Sequence, residues 1–513
     1  MRLSELPLGP AEVRGPDTVD VTGVSLDSRS VAPGWMYAAL PGANVHGAVF
    51  VADLFTAGVR CILTDSAGLD IIEAAGEVPA DATIVCVGDP RARLGAIAAA
   101  VYGTEPGRPT LLGVTGTNGK TTTTFLLEAL LAAIDGPRTT GVIGTVATRI
   151  AGDSVPAVRT TPEAPDLHRL FADMRSAGVR TCAMEVSSHA LVQHRVDGAH
   201  FAVAGFTNLT QDHLDFHKTM EAYFEAKAQL FTPEFADRGV IYLADAWAQR
   251  LADTAPIPLL TVSADPDDAP DVLLVAGTAG RFELHGAPFE PIGGVLAAHS
   301  PLPGDFNTAN TALALTMLAA CGWPVEELAR VAPTFTATVP GRMEVIRQRG
   351  PLAVVDYSHT PDALVKALSG LRADHPEGPL VIVCGAGGAR DQGKRPKMGA
   401  AAAQYADVVI ITDDNPRTED PSEIRGAVRA GAEDYVACHP ARTVEIREIA
   451  DRRAAILAGV EAAGTAGALL VAGKGHETGQ EVNGVKHHFD DREETRKALP
   501  KANLGTEPSI VLK

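Results

Sequence analysis

Residues 113–122 form a glycine-rich turn between an apolar run at 110–114 and a helical pattern at 120–134. Backbone N–H groups in such a turn can point at phosphate oxygens, and Lys120 can reach the outer phosphates of a nucleotide. The strict pattern G-x-x-x-x-G-K-[ST] is missed, because Val114 stands at its first glycine position. A plain helix start is the alternative, but the strand–turn–helix context favours nucleotide binding.

The chain has 513 residues, too many for one hydrophobic core and enough for about three domains. Strands alternate with helices, which predicts an α/β fold with parallel sheets covered on both faces. We place the domains at 1–108, 109–339 and 340–513, with a Gly- and Pro-containing linker at 103–109. Residues 253–304 predict an irregular or β-type excursion.

The net charge of −19 argues against a nucleic-acid surface and against binding to anionic lipid. The six cysteines are scattered without a C-x-x-C pair, so neither a disulfide framework nor a zinc site is expected. The first 16 residues lack a signal-peptide pattern, and no apolar run approaches the roughly 20 residues needed to span a bilayer. We therefore expect a cytoplasmic protein, and a monomer by default.

Three polar residues downstream are candidates for the chemistry. Glu185 ends an apolar strand, and a carboxylate beside a phosphate loop commonly holds Mg²⁺. His213, in the run 207–217, could ligate a second metal ion, but its local pattern favours a helix cap. Lys227 lies on an amphipathic helical pattern, where the local prediction is an exposed surface lysine.

The third segment repeats one theme, because each of four apolar strands is followed by a polar loop. Ligands of open α/β sheets bind outside the carboxyl ends of the strands, so these loops predict a second binding crevice. The loops begin at residues 356, 385, 412 and 473.

Seven motifs in one order make the chain similar to the Mur ligase family throughout its length. They stand at residues 116–122, 184–189, 304–310, 340–344, 356–361, 393–396 and 473–477. The resemblance implies an N-terminal UDP-binding α/β domain, a central P-loop ATPase-type domain with a parallel sheet, and a C-terminal Rossmann-like domain that binds an amino acid.

The resemblance also implies a reaction of peptidoglycan precursor synthesis. The D-glutamyl γ-carboxylate of UDP-N-acetylmuramoyl-L-alanyl-D-glutamate would be phosphorylated by ATP, and meso-diaminopimelate would attack the acyl phosphate. A carboxylate accepts an amine only when its oxygen becomes a good leaving group, so catalysis is mostly positioning and charge neutralisation. Mg²⁺ and a CO₂-derived carbamate on a lysine are the implied cofactors.

Site residues are carried over by position from the same resemblance. Lys120 would hold the γ-phosphate. Lys227 would be the carbamylated lysine, so the resemblance implies a functional residue where the local pattern predicts an exposed surface lysine. The catalytic set is Lys120, Glu185, His213 and Lys227. The ATP-binding set is Gly116, Thr117, Asn118, Gly119, Lys120, Thr121, Thr122, Asn307, Asn310, Arg342 and Asp356. The metal ligands are Thr121, Glu185, His213 and carbamylated Lys227.

Two further sets concern the other substrates. The UDP-substrate set is Ser28, Thr160, Thr161, Ser187, Gln193 and Arg195. The diaminopimelate set is Arg390, Asp414, Asn415, Pro416, Arg417, Gly473 and Glu477. Diaminopimelate carries a second carboxylate that lysine lacks, and a guanidinium grips a carboxylate through two parallel hydrogen bonds. Arg417, after the stiffening Pro416, is therefore the expected discriminator.

Other functions remain open at this point. A lysine-adding ligase, a ligase of a different Mur step and a folylpolyglutamate synthase would share the architecture. A nucleotide switch without ligase activity would need no second small-molecule crevice. The chain departs from the family pattern at two places, because Leu243 begins the run where the family often has Asn-x-Asp-Asp, and Ala389 stands where relatives often carry Asp.

Overall fold

The computed structural model describes residues 1–42, 44–105, 107–155, 159–348, 350–375, 377–389 and 391–499. The described chain divides into two compact units. The first comprises Met1–Ala276, Glu283–Ala298 and Asn310–Phe335. The second comprises Gly277–Phe282, His299–Ala309 and the described part of Thr336–Lys513. No helix in these ranges has both the length and the apolar composition needed to cross a bilayer.

The first predicted segment holds a sheet in the order β1-β5-β4-β3-β2, antiparallel only between β1 and β5. Its strands are β1 (Ala11–Arg14), β2 (Gly23–Ser25), β3 (Trp35–Ala38), β4 (Cys61–Thr64) and β5 (Thr83–Val87). Its helices are α1 (Val51–Thr56), α2 (Ser66–Ala75) and α3 (Pro90–Tyr102). Asp89 caps α3, since its carboxylate accepts from the N–H groups of Arg91 and Ala92, and Pro90 fits the first helical turn.

The second sheet has the order β16-β15-β14-β13-β12-β11-β6-β10-β7-β8-β9. Its strands are β6 (Thr110–Thr115), β7 (Thr140–Ile143), β8 (Thr148–Ile150), β9 (Asp153–Val155), β10 (Thr181–Glu185), β11 (Val203–Phe206), β12 (Gly239–Tyr242), β13 (Leu259–Ser263), β14 (Val272–Ala276), β15 (Arg281–Gly286) and β16 (Val295–His299). The helices that follow are α4 (Lys120–Asp135), α5 (Ala164–Ser176), α6 (Ser188–Val192), α7 (Leu214–His217), α8 (Met220–Ala228), α9 (Ala246–Thr254), α10 (Asp305–Ala320) and α11 (Val325–Val331).

The central strand β6 pairs in parallel with both β10 and β11. These strands are apolar runs because helices cover both faces of a parallel sheet. Residues 253–304, predicted as an irregular or β-type excursion, supply β13, β14, β15 and β16. The polar residues after β6, β10 and β11 therefore meet at one edge.

Two buried contacts join helix α3 to the second sheet's segment. The imidazole of His168, in α5, lies 2.7 Å from Thr104 Oγ1 and 3.1 Å from the Asp197 carbonyl oxygen. Gly95 of α3 also lies against Asp197, so close that a Cβ atom there would stand 2.2 Å from the same carbonyl oxygen. This contact admits no side chain at position 95 of α3.

The third predicted segment holds a sheet in the order β17-β18-β22-β19-β20-β21 and a hairpin, β23-β24. The strands are β17 (Glu344–Arg347), β18 (Leu352–Asp356), β19 (Leu380–Cys384), β20 (Val408–Ile411), β21 (Glu445–Glu448), β22 (Ala468–Ala472), β23 (Gly479–Val482) and β24 (Val485–His488). The helices are α12 (Pro361–Asp374), α13 (Lys394–Tyr405), α14 (Pro421–Cys438), α15 (Arg452–Ala463) and α16 (Asp491–Ala498).

Strands β18, β22, β19 and β20 are parallel neighbours. The four polar loops of the sequence prediction therefore leave the same edge of this sheet. Each predicted segment carries its own sheet with helices packed against it, which confirms the α/β class. The domain limits at 108/109 and 339/340 stay a prediction.

Candidate functional site

The glycine-rich turn connects β6 to α4. Gly116 and Gly119 have φ angles of +142° and +89°, in the region that favours glycine. A Cβ atom at Gly116 would lie 1.9 Å from Thr207 Oγ1. The Lys120 ammonium lies over the turn, donating to the carbonyl oxygens of Gly116 at 2.9 Å and Thr117 at 2.8 Å. The turn thus presents its amides and Lys120 at the start of α4, as a phosphate site requires.

The loop after β11 braces this turn from the side. Thr117 N–H donates to the Asn208 carbonyl oxygen at 2.9 Å, and Asn118 N–H donates to Asn208 Oδ1 at 3.1 Å. Thr207 Oγ1 donates to the Asn118 carbonyl oxygen at 2.6 Å, while Thr210 N–H donates to Thr117 Oγ1 at 3.0 Å. These bonds fix the conformation of the turn.

Three other predicted ATP contacts lie beside the turn. Thr121 and Thr122 are buried in the first turn of α4. Asn310 of α10 is buried next to Gly119, where an added Cβ atom would stand 2.6 Å from Asn310 Oδ1. The first unit therefore brings these residues together with Lys120.

Glu185 is buried at the end of β10, where Thr145 holds its carboxylate. Thr145 donates from its backbone N–H at 2.7 Å and from Oγ1 at 3.1 Å. The same hydroxyl lies 2.9 Å from Thr160 Oγ1, and Thr161 Oγ1 donates to the Glu185 carbonyl oxygen at 2.9 Å and to Ser187 Oγ at 3.3 Å. The predicted metal ligand and three predicted substrate contacts thus form one hydrogen-bonded group.

Lys227 is 1% exposed, so the local prediction of a surface lysine is wrong. Its ammonium donates to the Gly116 carbonyl oxygen at 2.7 Å and to Thr115 Oγ1 at 3.5 Å, and lies 4.6 Å from the centre of the Tyr223 ring. Burial, reinforced by the nearby Lys120 ammonium, lowers the pKa of Lys227 well below its ordinary value. The pattern of α8 could not reveal this, because the burial comes from contacts with the phosphate turn.

His213 occupies the N-cap position of α7, as its local pattern favours, although its side chain makes no capping hydrogen bond. Its φ is +53°, and its ring lies 4.9 Å from the His189 ring and 6.1 Å from the Tyr223 ring. Tyr223 connects His213 to Lys227. Among the described residues, three or more His, Cys, Asp or Glu side chains nowhere converge as a metal site would need.

Arg195 belongs to a cluster of arginines around one carboxylate. Its Nη2 donates to Gln193 Oε1 at 2.5 Å, and its Nε lies 3.1 Å from Glu163 Oε1. Glu163 also pairs with Arg91 at 2.9 Å and with Arg159. The cluster carries more positive than negative charge, which suits an anionic substrate.

Ser28 lies in the turn after β2. Its neighbours Asp27 and Arg29 pair at 2.8 Å, and the guanidinium lowers the pKa of the Asp27 carboxyl. The turn places the Ser28 hydroxyl on the N-terminal sheet, the sheet predicted to bind UDP.

Asn307, Arg342 and Asp356 belong to the second unit. Asn307 Nδ2 donates to the Pro303 carbonyl oxygen at 2.7 Å. Asp356 ends β18 and accepts from Met343 N–H at 2.6 Å, while the Arg342 guanidinium lies 4.3 Å from the centre of the Tyr357 ring. Arg342 and Asp356 thus lie close together at one strand end.

Asp414, Asn415, Gly473 and Glu477 meet where β20 and β22 end. Asn415 Nδ2 donates to Glu477 Oε2 at 2.9 Å. Gly473 has a φ of +121°, and a Cβ atom there would stand 2.3 Å from Asp414 Oδ2. The predicted diaminopimelate residues of these two loops therefore form one cluster.

Arg417 follows Pro416 with a φ of +53°. Its Nη1 donates to the Gly388 carbonyl oxygen at 2.6 Å, and its Nε lies 3.6 Å from Glu481 Oε2. The Arg417 side chain is 25% exposed, so part of it remains open to solvent.

Arg390 lies outside the described residues. Its neighbour Ala389, one of the departures from the family pattern, has a φ of +51° and donates its N–H to Glu419. Glu419 also pairs with Arg395 at 2.8 Å. In this chain Glu419 therefore holds the loop at Ala389.

Sequence reasoning missed several residues that shape the site. They include Thr145, Glu163, Asn208, Tyr223 and Lys474. Lys474 carried a signal, since it stands inside the motif at 473–477 directly after an apolar strand, and so did Asn208, which follows the apolar strand β11. Thr145 carried none, because its partner Glu185 is 40 residues away.

Comparison with protein families gives three matches along the chain. The model described as Mur ligase family, catalytic domain, matches residues 20–102. The Mur ligase middle domain matches residues 114–318, and the glutamate ligase domain of Mur ligases matches residues 341–475.

Two relatives and one solved structure show the same similarity over nearly the full length. The chain is 46% identical to the UDP-N-acetylmuramoyl-L-alanyl-D-glutamate–2,6-diaminopimelate ligase of Streptomyces coelicolor, covering 98% of each chain. It is 46% identical to the ligase of the same name from Corynebacterium glutamicum, covering 93% of this chain and 92% of that one. A solved structure of a protein of that name aligns with a TM-score of 0.65 at 32% identity, covering 97% of this chain and 98% of the other.

Proposed function

The chain belongs to the Mur ligase family, and on this premise we propose that it joins meso-diaminopimelate to UDP-N-acetylmuramoyl-L-alanyl-D-glutamate in an ATP-dependent reaction. The product is a precursor of peptidoglycan. The observation that carries the choice of amino acid is the cluster of Asp414, Asn415 and Glu477 at the ends of β20 and β22, with Arg417 two residues further along the loop after β20. Carboxylates suit an ammonium group, and Arg417 suits the additional carboxylate.

Separate groups of the chain bind the nucleotide and the UDP-linked substrate. The amides of the phosphate turn and Lys120 bind and orient the phosphates of ATP, so that the γ-phosphoryl group faces the substrate carboxylate. Transfer breaks the bond to ADP and forms the acyl phosphate. The amine then adds to the acyl carbon, loses a proton, and expels inorganic phosphate. Arg195 and its neighbours Thr161 and Ser187 hold the anionic substrate for both steps.

Mg²⁺ fits the residues near the turn. Thr121 and the Glu185 carboxylate offer the hard oxygen ligands that this ion prefers, and a phosphate-bound Mg²⁺ needs only a few protein ligands. Bound there, the ion would neutralise charge on the transferring phosphoryl group. Thr145 keeps the Glu185 carboxylate in a fixed orientation. The proposal includes His213 as a ligand of a second metal ion, because its ring lies beside Tyr223.

Lys227 fits carbamylation. A neutral amine is the form that adds to CO₂, and burial together with Lys120 favours this form. The Nζ lone pair would bond to the carbon of CO₂ and a proton would leave, converting a cation into an anionic oxygen ligand. Mass spectrometry of the intact protein, with and without added bicarbonate, tests this step. A mass increase of one CO₂ in wild-type protein that is absent from Lys227→Met supports it, and identical masses contradict it.

Since the reaction consumes ATP and a nucleotide-linked precursor, the proposal includes a cytoplasmic location. A monomer is its default oligomeric state. Neither nucleic acid nor membrane is a partner in it. Lysine in place of diaminopimelate is the rival substrate, and a nucleotide switch is the rival function.

Phosphate release tests the proposed function directly. Purified protein is given ATP, Mg²⁺ and the UDP-linked dipeptide, with meso-diaminopimelate or L-lysine as the acceptor. We expect turnover with diaminopimelate and little with lysine. A preference for lysine would overturn the role of Arg417, and phosphate release independent of any amino acid would favour the switch.

A further inference from the structure

Lys474 is completely buried in the loop that follows β22. Its side chain is 0% exposed. The ammonium donates to Asn415 Oδ1 at 2.9 Å, and it lies 4.0 Å from Asp414 Oδ1 and 3.7 Å from Glu477 Oε2. It therefore contacts three members of the cluster proposed to bind the incoming amino acid, although its side chain is not exposed to solvent.

The ammonium determines which way the Asn415 amide faces. An ammonium has only donors, so the amide atom beside it must be the oxygen. That oxygen also accepts from Glu481 N–H at 3.0 Å. The Asn415 NH₂ group is then turned to Glu477, to which it donates at 2.9 Å. Lys474, together with Glu481 N–H, thus fixes the amide and, through it, the Glu477 carboxylate.

The charges beneath the cluster are unequal. Arg452 and Asp491 are fully buried and joined by two hydrogen bonds of 2.7 and 2.6 Å, so their charges cancel. Lys474 then opposes two carboxylates, Asp414 and Glu477. One negative charge remains, which matches the ammonium group of an amino acid. Without Lys474, Asp414 and Glu477 would both lose the ammonium that lies 4.0 and 3.7 Å from them, and Asp414 would keep the Arg452 guanidinium at 3.9 Å.

We propose that Lys474 is a positioning residue for the incoming amino acid, holding Asn415 and Glu477 in the binding orientation and lowering the surplus negative charge to one. The inference rests on the proposed function, because it assumes that this cluster binds diaminopimelate. Lys474 does not touch the substrate, so its removal should act on amino-acid binding and leave ATP binding intact.

Steady-state kinetics of Lys474→Met test the inference. Loss of a buried charged hydrogen bond should raise the KM for diaminopimelate roughly ten- to hundredfold, while the KM values for ATP and the UDP-linked dipeptide stay within about threefold. Lys474→Gln keeps a donor for Asn415 without the charge, and it should recover part of the loss. The preference for diaminopimelate over lysine should be unchanged, because Arg417 is intact.

Lys497→Met is the matched control, since Lys497 is exposed on α16 and pairs with Glu494. It should behave as wild type. An unchanged diaminopimelate KM in Lys474→Met would overturn the inference, as would an equal rise in all three KM values. If Lys474→Met does not fold, Lys474→Gln decides by the same criteria. A wild-type enzyme that uses no diaminopimelate would instead overturn the proposed function.

Discussion

Arg417 illustrates how single residues of the site depend on a few fixed partners. Its guanidinium is anchored by the Gly388 carbonyl oxygen at one nitrogen and approaches Glu481 at another. A lysine could reach one of these partners but could not present a planar fork to a carboxylate. The shape of the side chain, as well as its charge, therefore matters here.

We expect Arg417→Lys to lower kcat/KM for diaminopimelate roughly ten- to hundredfold, the usual effect of losing a charged hydrogen bond. The low kcat/KM for lysine should fall by a smaller factor than the kcat/KM for diaminopimelate. Parallel assays with both amino acids measure the ratio. Arg429→Lys is the control, because Arg429 is exposed on α14 and pairs with Glu433. Equal losses with both amino acids would contradict the assigned role.

Thr145 gives a second prediction at this scale. Its hydroxyl orients the proposed metal ligand Glu185, and removal of such a partner typically weakens metal binding roughly ten- to hundredfold. Thr145→Val should raise the Mg²⁺ concentration for half-maximal activity by this factor, and Thr145→Ser should not. The hydroxyl also contacts Thr160. A rise only in the KM of the UDP-linked dipeptide, at unchanged Mg²⁺ dependence, would refute the prediction.

Single residues also show which parts of the site could be predicted from the sequence and which could not. The family pattern identified Lys227, but its local helix pattern indicated the surface, and only the contacts with Gly116 and Tyr223 bury it. Glu185 could be found as a polar residue after an apolar strand. Thr145 could not, because its partner is 40 residues away.

At the scale of elements, the conformation of the phosphate turn depends on hydrogen bonds with the loop after β11 as much as on the turn's own sequence. Strand–turn–helix order could be predicted, and β6 and α4 fall within one residue of the expected bounds. The order of strands could not, because β6 lies between β10 and β11, whose pairings join residues about 70 and 90 positions apart. That order places the loop of Asn208 beside the turn.

Gly116→Ala tests this element. The new methyl would collide with Thr207 Oγ1 in a backbone conformation that alanine rarely adopts, so the turn must shift. We expect binding of a non-hydrolysable ATP analogue, measured by calorimetry, to weaken at least tenfold or to disappear. Gly426→Ala is the control, since its Cβ atom would meet nothing within 4 Å in α14. It should leave binding unchanged, and equal effects of both variants would disprove the argument.

At the scale of the molecule, the buried imidazole of His168 connects the predicted first and second segments. Burial lowers its pKa from an ordinary value of 6.5 to about 4, so the ring is neutral at pH 7. The unfolded chain binds this proton more readily than the folded chain. The contribution of the neutral His168 ring to the free energy of unfolding is therefore fully present above pH 6.5. It is lost as the pH falls toward 4, by about 3 kcal/mol.

His168→Gln should reduce this acid sensitivity, because glutamine can donate and accept hydrogen bonds without titrating. Thermal unfolding at pH 7.5 and pH 5 measures it. The variant is expected to be less stable than wild type at pH 7.5. Its midpoint temperature of unfolding should fall less than that of wild type between pH 7.5 and pH 5. The same loss in both proteins would show that other groups dominate.

The tight contact between Gly95 and Asp197 restricts how this protein can diverge or be recombined. Because not even a methyl group fits between α3 and the facing carbonyl, neither side can drift alone. A chimera that exchanges the N-terminal segment with that of a relative must therefore take both surfaces of the joint from one parent. The two positions therefore constrain each other, although some 100 residues separate them.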